Sequence, residues 1–168
     1  LDLMQTACNI TEAGVRRLLG FIKPGVWEYE IEAELAHEFL RKRSKGFAYT
    51  PIVASGKNAC VLHYVTNLRL MKDGDLLLSD CAAEYHGYTA DVTRTIPVNG
   101  KFSPEQKIIY ELVLEAQDSG FAACKPGNAF GAVDAAARRV INRGLVKLGI
   151  VATEQEARQY FPHGTSHH

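Results

Sequence analysis

Two aspartates, Asp80 and Asp91, are the residues of this sequence best placed to do chemistry together. The run Asp75-Leu76-Leu77-Leu78-Ser79-Asp80-Cys81 follows an Asp73-Gly74 turn signal and reads as a buried, otherwise apolar strand. Glu84-Tyr85-His86-Gly87-Tyr88 supplies a reversal, and Thr89-Ala90-Asp91-Val92-Thr93-Arg94-Thr95-Ile96 is rich in β-branched residues. Folding back around Tyr85 to Gly87 brings Asp80 and Asp91 to nearly facing positions, within a residue or two of register. Facing side chains on paired strands have Cβ atoms roughly 4.5–5.5 Å apart. Two carboxylates that close in an apolar setting repel, so one takes up a proton or a cation settles between them. The simplest resident is a metal ion, or two ions about 3.5–4 Å apart that share a carboxylate. A plainer reading stays open at this point, with Asp91 paired to Arg94 and Asp80 capping a turn.

The elements that must hold this hairpin follow from a faint internal repeat. Ile22-Lys23-Pro24-Gly25 is followed by a helical stretch from about Trp27 to Lys42, and Cys124-Lys125-Pro126-Gly127 by one from about Phe130 to Leu148. An amphipathic helix precedes each copy, near Gln5 to Phe21 and near Ser103 to Ala123. In the earlier one Val15, Leu18, Leu19 and Ile22 recur at helical spacing. Ser103-Pro104-Glu105 is a helix start, with Ser103 as N-cap and proline in the first turn. Pro-Gly ends each first helix and turns the chain into the second. Strands are expected over Tyr49 to Ala54 and Ala59 to His63, ahead of the hairpin. The repeat divides the chain near residues 1–102 and 103–168, and a second copy should add strands after Gly149, where little sequence remains.

The 168 residues, 46% of them apolar, suffice for a proper core. Nineteen basic and nineteen acidic residues balance without long blocks of either sign, which argues against nucleic-acid or membrane-surface partners recognised by bulk charge. No apolar stretch approaches the roughly 20 residues of a membrane span. No signal-peptide pattern is evident, although Leu1 leaves room for a removed upstream segment. Cys8, Cys60, Cys81 and Cys124 lie far apart without C-x-x-C spacing, and are expected to be reduced and mostly buried, which suits a cytoplasmic protein. Among the six histidines, His37 reads as a helix-face residue and His86 as a solvated turn residue. His63 closes the Ala59–His63 stretch. His163 and His167 stand four apart in a segment opened by Pro162 and loosened by Gly164. Imidazole beside carboxylates suits a divalent ion, and a mixed set of Asp, Glu and His differs from a structural zinc site.

Three blocks in order, Ile52-Val53-Ala54-Ser55-Gly56-Lys57-Asn58-Ala59-Cys60-Val61-Leu62-His63-Tyr64, Asp80-Cys81-Ala82-Ala83-Glu84-Tyr85 with Tyr88 to Thr95, and His163-Gly164-Thr165-Ser166-His167, together resemble the Xaa-Pro aminopeptidase and prolidase family. The similarity runs essentially from end to end of the chain. It implies an α/β (α+β) pita-bread fold: a pseudo-twofold repeat of helix pairs packed on a curved, mainly antiparallel sheet, here with its second half incomplete. It also implies a dinuclear metal centre, manganese first and zinc or cobalt as alternatives, with two Asp, one His and two Glu ligands. Carried over residue by residue, Asp80 and Asp91 resemble the metal-binding aspartates, with Asp91 shared between the ions, and His167 the metal-binding histidine. His63 and His163 resemble the histidines that touch substrate. Both glutamates and a further histidine should lie beyond His168, so the chain resembles a catalytic domain without its last part. The activity implied is hydrolysis of the bond ahead of a proline at position two of a peptide, by a metal-activated water. The fragment alone is expected to bind metal weakly and to turn over little. An exposed sheet edge would favour a homodimer. Rival readings are a methionine aminopeptidase or creatinase-like hydrolase on the same fold, and a non-catalytic peptide-binding relative. Against the first, Val92-Thr93-Arg94-Thr95 and His63-Tyr64 look more like the proline-peptidase form.

Overall fold

The computed structural model describes residues 1–165. The chain divides into two compact units, Leu1–Phe102 and Ser103–His168. Each opens with a helix pair: α1 (Asp2–Phe21) and α2 (Glu28–Arg41) in the first, α3 (Pro104–Ala123) and α4 (Gly131–Lys147) in the second. The two Lys-Pro-Gly turns share a conformation as well as their letters. Gly25 has φ +89° and Gly127 φ +87°. The Val26 N–H donates to the Lys23 carbonyl at 3.3 Å, and the Asn128 N–H to the Lys125 carbonyl at 3.1 Å. Proline second and a left-handed glycine third make a type II turn, which a residue with a Cβ adopts only under strain.

In the first unit α1 buries Ala7, Ile10, Thr11, Gly14 and Leu18. Of the expected stripe only Leu18 is fully buried, and Leu19 is 52% exposed. The contact face is set by small residues, because α2 comes close enough for the Phe39 ring to occupy the space a Cβ on Gly14 would need. Ile31, Leu35 and Phe39 of α2 meet Val53, Met71, Leu77, Cys81, Ala83 and Val98 in one core.

Six short strands complete this unit: β1 (Gly46–Phe47), β2 (Ile52–Ser55), β3 (Leu76–Cys81), β4 (Ala83–Tyr85), β5 (Tyr88–Thr89) and β6 (Val92–Pro97). They form two antiparallel sheets, ordered β1-β4-β5 and β2-β3-β6. The apolar run of β3 is two-faced, not uniformly buried: Leu77, Ser79 and Cys81 are inside, while Leu76, Leu78 and Asp80 are half-buried. The expected strand over Ala59 to His63 is absent. Gly56 (φ +53°) turns the chain out of β2, Gly56–Cys60 form a 3-10 turn, and a further turn follows.

In the second unit Ser103 caps α3. Its Oγ accepts from the Gln106 N–H at 3.2 Å, and the Gln106 side chain accepts from the Ser103 N–H at 2.9 Å. Ala116, Ala137, Ile141, Leu145, Val151 and Ala157 form its core. The strands expected after Gly149 do not occur among the described residues, where Glu156–Tyr160 form a 3-10 turn. No helix among the described residues is long and apolar enough to cross a membrane. The cysteine expectation needs correction: Cys81 is buried, but Cys8, Cys60 and Cys124 are exposed, on an outward helix position, a loop and a helix end.

Candidate active site

The reversal at Tyr85 is a two-residue turn. Tyr85 pairs with Tyr88, and His86 (φ +51°) and Gly87 (φ +83°) are both left-handed, as a type I′ hairpin turn requires. Pairing continues with Glu84 opposite Thr89 and resumes with Cys81 opposite Val92 and Asp80 opposite Thr93. Between these ladders the hairpin is prised open by a side chain from α1. The Ala83 N–H donates to Thr11 Oγ1 at 3.0 Å, and that hydroxyl donates to the Ala90 carbonyl at 3.2 Å. Asp91 therefore leaves the ladder where the strands separate.

Asp80 faces Thr93, so Asp91 is its diagonal neighbour on the same side of the hairpin, two residues from direct opposition. Diagonal Cβ atoms are more widely spaced than facing ones. The carboxylates nonetheless converge, on the hydroxyl of Tyr49, which lies 2.5 Å from Asp80 Oδ1 and 2.8 Å from Asp91 Oδ1. Tyr49 reaches them because Ile52, three residues on, pairs with Asp80 in the β2–β3 ladder. Burial raises the Asp80 carboxyl above the usual range and the charge of Asp91 adds to this, while hydrogen bonds from Tyr49 and Thr93 pull it back. Burial first, and then the two carboxylates, push the Tyr49 phenol far up, so it keeps its proton. A phenol has one proton to donate and here meets two acceptors. The second contact calls for a further proton or a cation. Burial also pushes the Cys81 thiol up to about 11, which keeps it out of thiolate chemistry. Arg94 donates to the Thr93 carbonyl at 2.8 Å.

Two carboxylates with a hydroxyl between them form an oxygen donor set that fits a hard or borderline divalent ion. Among the described residues no group of three or more His, Cys, Asp or Glu could hold a metal, so no third such side chain joins the aspartates. His167 lies outside the described residues. His63 is exposed, with φ +56°, in the loop between β2 and β3, and His37 and His86 are exposed as expected.

In the second unit His163 is exposed, and its Nδ1 lies 2.9 Å from the Gly164 carbonyl. Its segment is tied to α4. Arg138 donates to the carbonyls of Phe161 at 2.7 Å and His163 at 2.9 Å, and its guanidinium stacks over the Phe161 ring. Asp134 accepts from Arg138 at 2.6 Å and from the Thr165 N–H at 2.9 Å. Burial would raise the Asp134 carboxyl, but Arg138 and Thr165 hold it below the usual range.

The sequence predicted the approach of Asp80 and Asp91 but not the contacts of Tyr49, Thr11 and the Asp134–Arg138 pair. The pair has a local signal, opposite charges four apart on a helix. Tyr49 and Thr11 have none, since their partners are 31 or more residues away.

The model of metallopeptidase family M24 matches residues 2–168. The Xaa-Pro aminopeptidase of Haemophilus influenzae is 44% identical over 174 residues, covering 99% of this chain and 40% of the relative. Among solved structures, Pseudomonas aeruginosa aminopeptidase PepP superposes with a TM-score of 0.90 at 44% identity, covering 95% of this chain and 36% of that one. A zinc-substituted Escherichia coli aminopeptidase P in complex with product gives 0.94 at 40% identity, covering 99% and 39%. The chain thus spans about 40% of the length of the curated relatives it matches, and its helix pairs and antiparallel strands are part of the pita-bread fold.

Proposed function

We propose that this chain, which belongs to metallopeptidase family M24, forms part of a dinuclear metal aminopeptidase that removes the residue ahead of a proline at position two of a peptide. The observation that carries the reading is the convergence of Asp80 and Asp91 on one hydroxyl, at 2.5 and 2.8 Å. Asp80, Asp91 and His167 would hold the metal, with manganese as the expected ion. A pair of divalent ions held there would supply Lewis acidity and a water acidified to near neutral pH. The chain's own residues do the rest. The aspartates present oxygen donors from one side of a hairpin, and Tyr49, keeping its proton, orients them. His63 and His163 are assigned hydrogen bonds to the carbonyl that gains charge, an electrostatic role. A cytoplasmic location belongs to the same reading and is supported by four cysteines of which none is in a disulfide.

The test is a manganese titration by calorimetry on this chain and on Asp91→Ala, with His167→Ala as a second variant. Heat that disappears in Asp91→Ala places the ion at the hairpin. Equal binding by both chains refutes the assignment. Proline specificity is read on the chain lengthened to the span of its relatives, with Ala-Pro, Met-Ala and longer Xaa-Pro peptides. Preferential cleavage of Met-Ala would replace this reading with a methionine aminopeptidase.

A further inference from the structure

We infer that the buried carboxylate of Glu28 is the positioning residue for His63, holding both ends of the loop that carries it and the side chain next to it. The inference rests on the substrate-facing role proposed for His63. Glu28 opens α2 and is completely buried. Its Oε1 accepts from the Ser55 N–H and Ser55 Oγ, each at 2.7 Å, and from Asn58 at 3.4 Å. Its Oε2 accepts from the Tyr64 hydroxyl at 2.7 Å and the Arg69 N–H at 2.9 Å. The Glu28 N–H in turn donates to the Arg69 carbonyl at 3.0 Å. One carboxylate thus joins residue 55, where the loop leaves β2, to residue 69, where it returns, and also grips Tyr64 beside His63. The Arg69 guanidinium donates to Asp75 at 2.6 Å and to Ser55 Oγ at 2.8 Å.

Apolar packing does not explain this loop. Val61, Leu62, Val65 and Leu68 are each at least half exposed. His63 and Asn67 both adopt left-handed backbone, which residues other than glycine disfavour. Asn67 is a second tie, buried, accepting from the Val53 N–H at 3.1 Å and donating to Glu32 at 2.9 Å. A carboxylate buried without hydrogen bonds is costly, and the donors that satisfy Glu28 all belong to the loop and its ends. The charge is therefore tolerated in the loop conformation that gives His63 its place, and loosening the loop strands the charge. The Tyr64 hydroxyl passes the constraint on, since it also accepts from the Leu68 N–H at 3.3 Å.

The experiment compares the chain with Glu28→Gln and with Tyr64→Phe, the milder variant, which carries the test alone if the first does not fold. Glutamine keeps the shape but turns one accepting oxygen into a donor. The readouts are the His63 ring signals by NMR and amide exchange at Val61, set against exchange in β3 and β6. The expected result is a displaced His63 ring signal in both variants and Val61 exchange faster by about tenfold, the loss of one hydrogen bond to a charged group, with β3 and β6 unchanged. Wild-type His63 signals in both variants overturn the inference. So does exchange that rises equally in β3, β6 and the loop, because Glu28 would then support only general stability. A manganese titration of the same samples reads the aspartates. If the chain lengthened to the span of its relatives binds no manganese while His63 still follows Glu28, the metal reading fails and the positioning stands.

Discussion

Replacing Thr11 with valine tests the way the hairpin is opened beside Asp91. Valine matches threonine in shape but has no hydroxyl, so the Ala83 N–H and Ala90 carbonyl lose the group that joins them. Thr11 and Ala83 have no exposure and Ala90 has 6%, so water does not readily replace it. Each buried backbone group left without a partner costs about 1–3 kcal/mol. The added apolar methyl returns about 1 kcal/mol. The net loss is then about 1–5 kcal/mol, which in a unit of about 100 residues lowers Tm by roughly 5–25 °C. Thermal unfolding followed by circular dichroism measures this, and Thr11→Ser is the control. Serine keeps the hydroxyl and loses a methyl, for about 1 kcal/mol. Amide exchange at Ala83 should quicken in the valine variant and stay slow in the serine variant. A valine variant as stable as the wild type, or a serine variant equally damaged, would refute the account of Thr11 as a hydrogen-bonding wedge and leave it as ordinary packing.

Asp80→Asn should gain on the wild type as pH rises in the metal-free chain. The Asp80 carboxyl is raised in the folded state, by burial and then by Asp91. Its stabilising contribution is therefore complete below the ordinary carboxylate range of about 3.9 and lost as pH climbs through the raised value. Urea unfolding of both proteins between about pH 4 and pH 7 checks this, and a stability gap that stays constant or moves the other way contradicts it. Tyr49→Phe keeps both aspartates and removes the hydroxyl between them, so manganese affinity should fall by about tenfold. Unchanged affinity in calorimetry would make Tyr49 a space-filling ring.

What could be read from the sequence is what depends on near neighbours. Both Lys-Pro-Gly turns, the Ser103 cap and the His86-Gly87 reversal are each decided within four residues, and each forms where its letters place it. The α1 stripe was misplaced because periodicity identifies an apolar face but not how closely the next helix approaches, and Gly14 lets Phe39 in. The run Ala59 to His63 has the composition of a strand. It becomes a turn because Glu28 captures Ser55, Asn58 and Tyr64 across 27 to 36 residues. The approach of the two aspartates was legible because a hairpin is local. The hydroxyl that gathers them comes from Tyr49, and the wedge that frees Asp91 from Thr11.

The repeat bears on function through its second helices. In each unit the helix after the Pro-Gly turn carries an acid in its first turn, Glu28 in α2 and Asp134 in α4. Each acid accepts backbone N–H groups from a segment that carries a histidine: Ser55 and Arg69 around His63, and Thr165 beyond His163. The N-terminal end of a helix favours negative charge, so a carboxylate placed there is less costly to bury than one elsewhere on the helix. A type II turn that starts a helix thus creates, just downstream, a position where an acid, buried in Glu28 and half-buried in Asp134, can grip a loop. The two copies solve the grip differently. Glu28 is satisfied by neutral donors, whereas Asp134 shares its charge with Arg138, which also holds the Phe161 and His163 carbonyls. The His163 segment should therefore loosen as pH falls through the lowered Asp134 value, with the Arg138 contacts weakening alongside it.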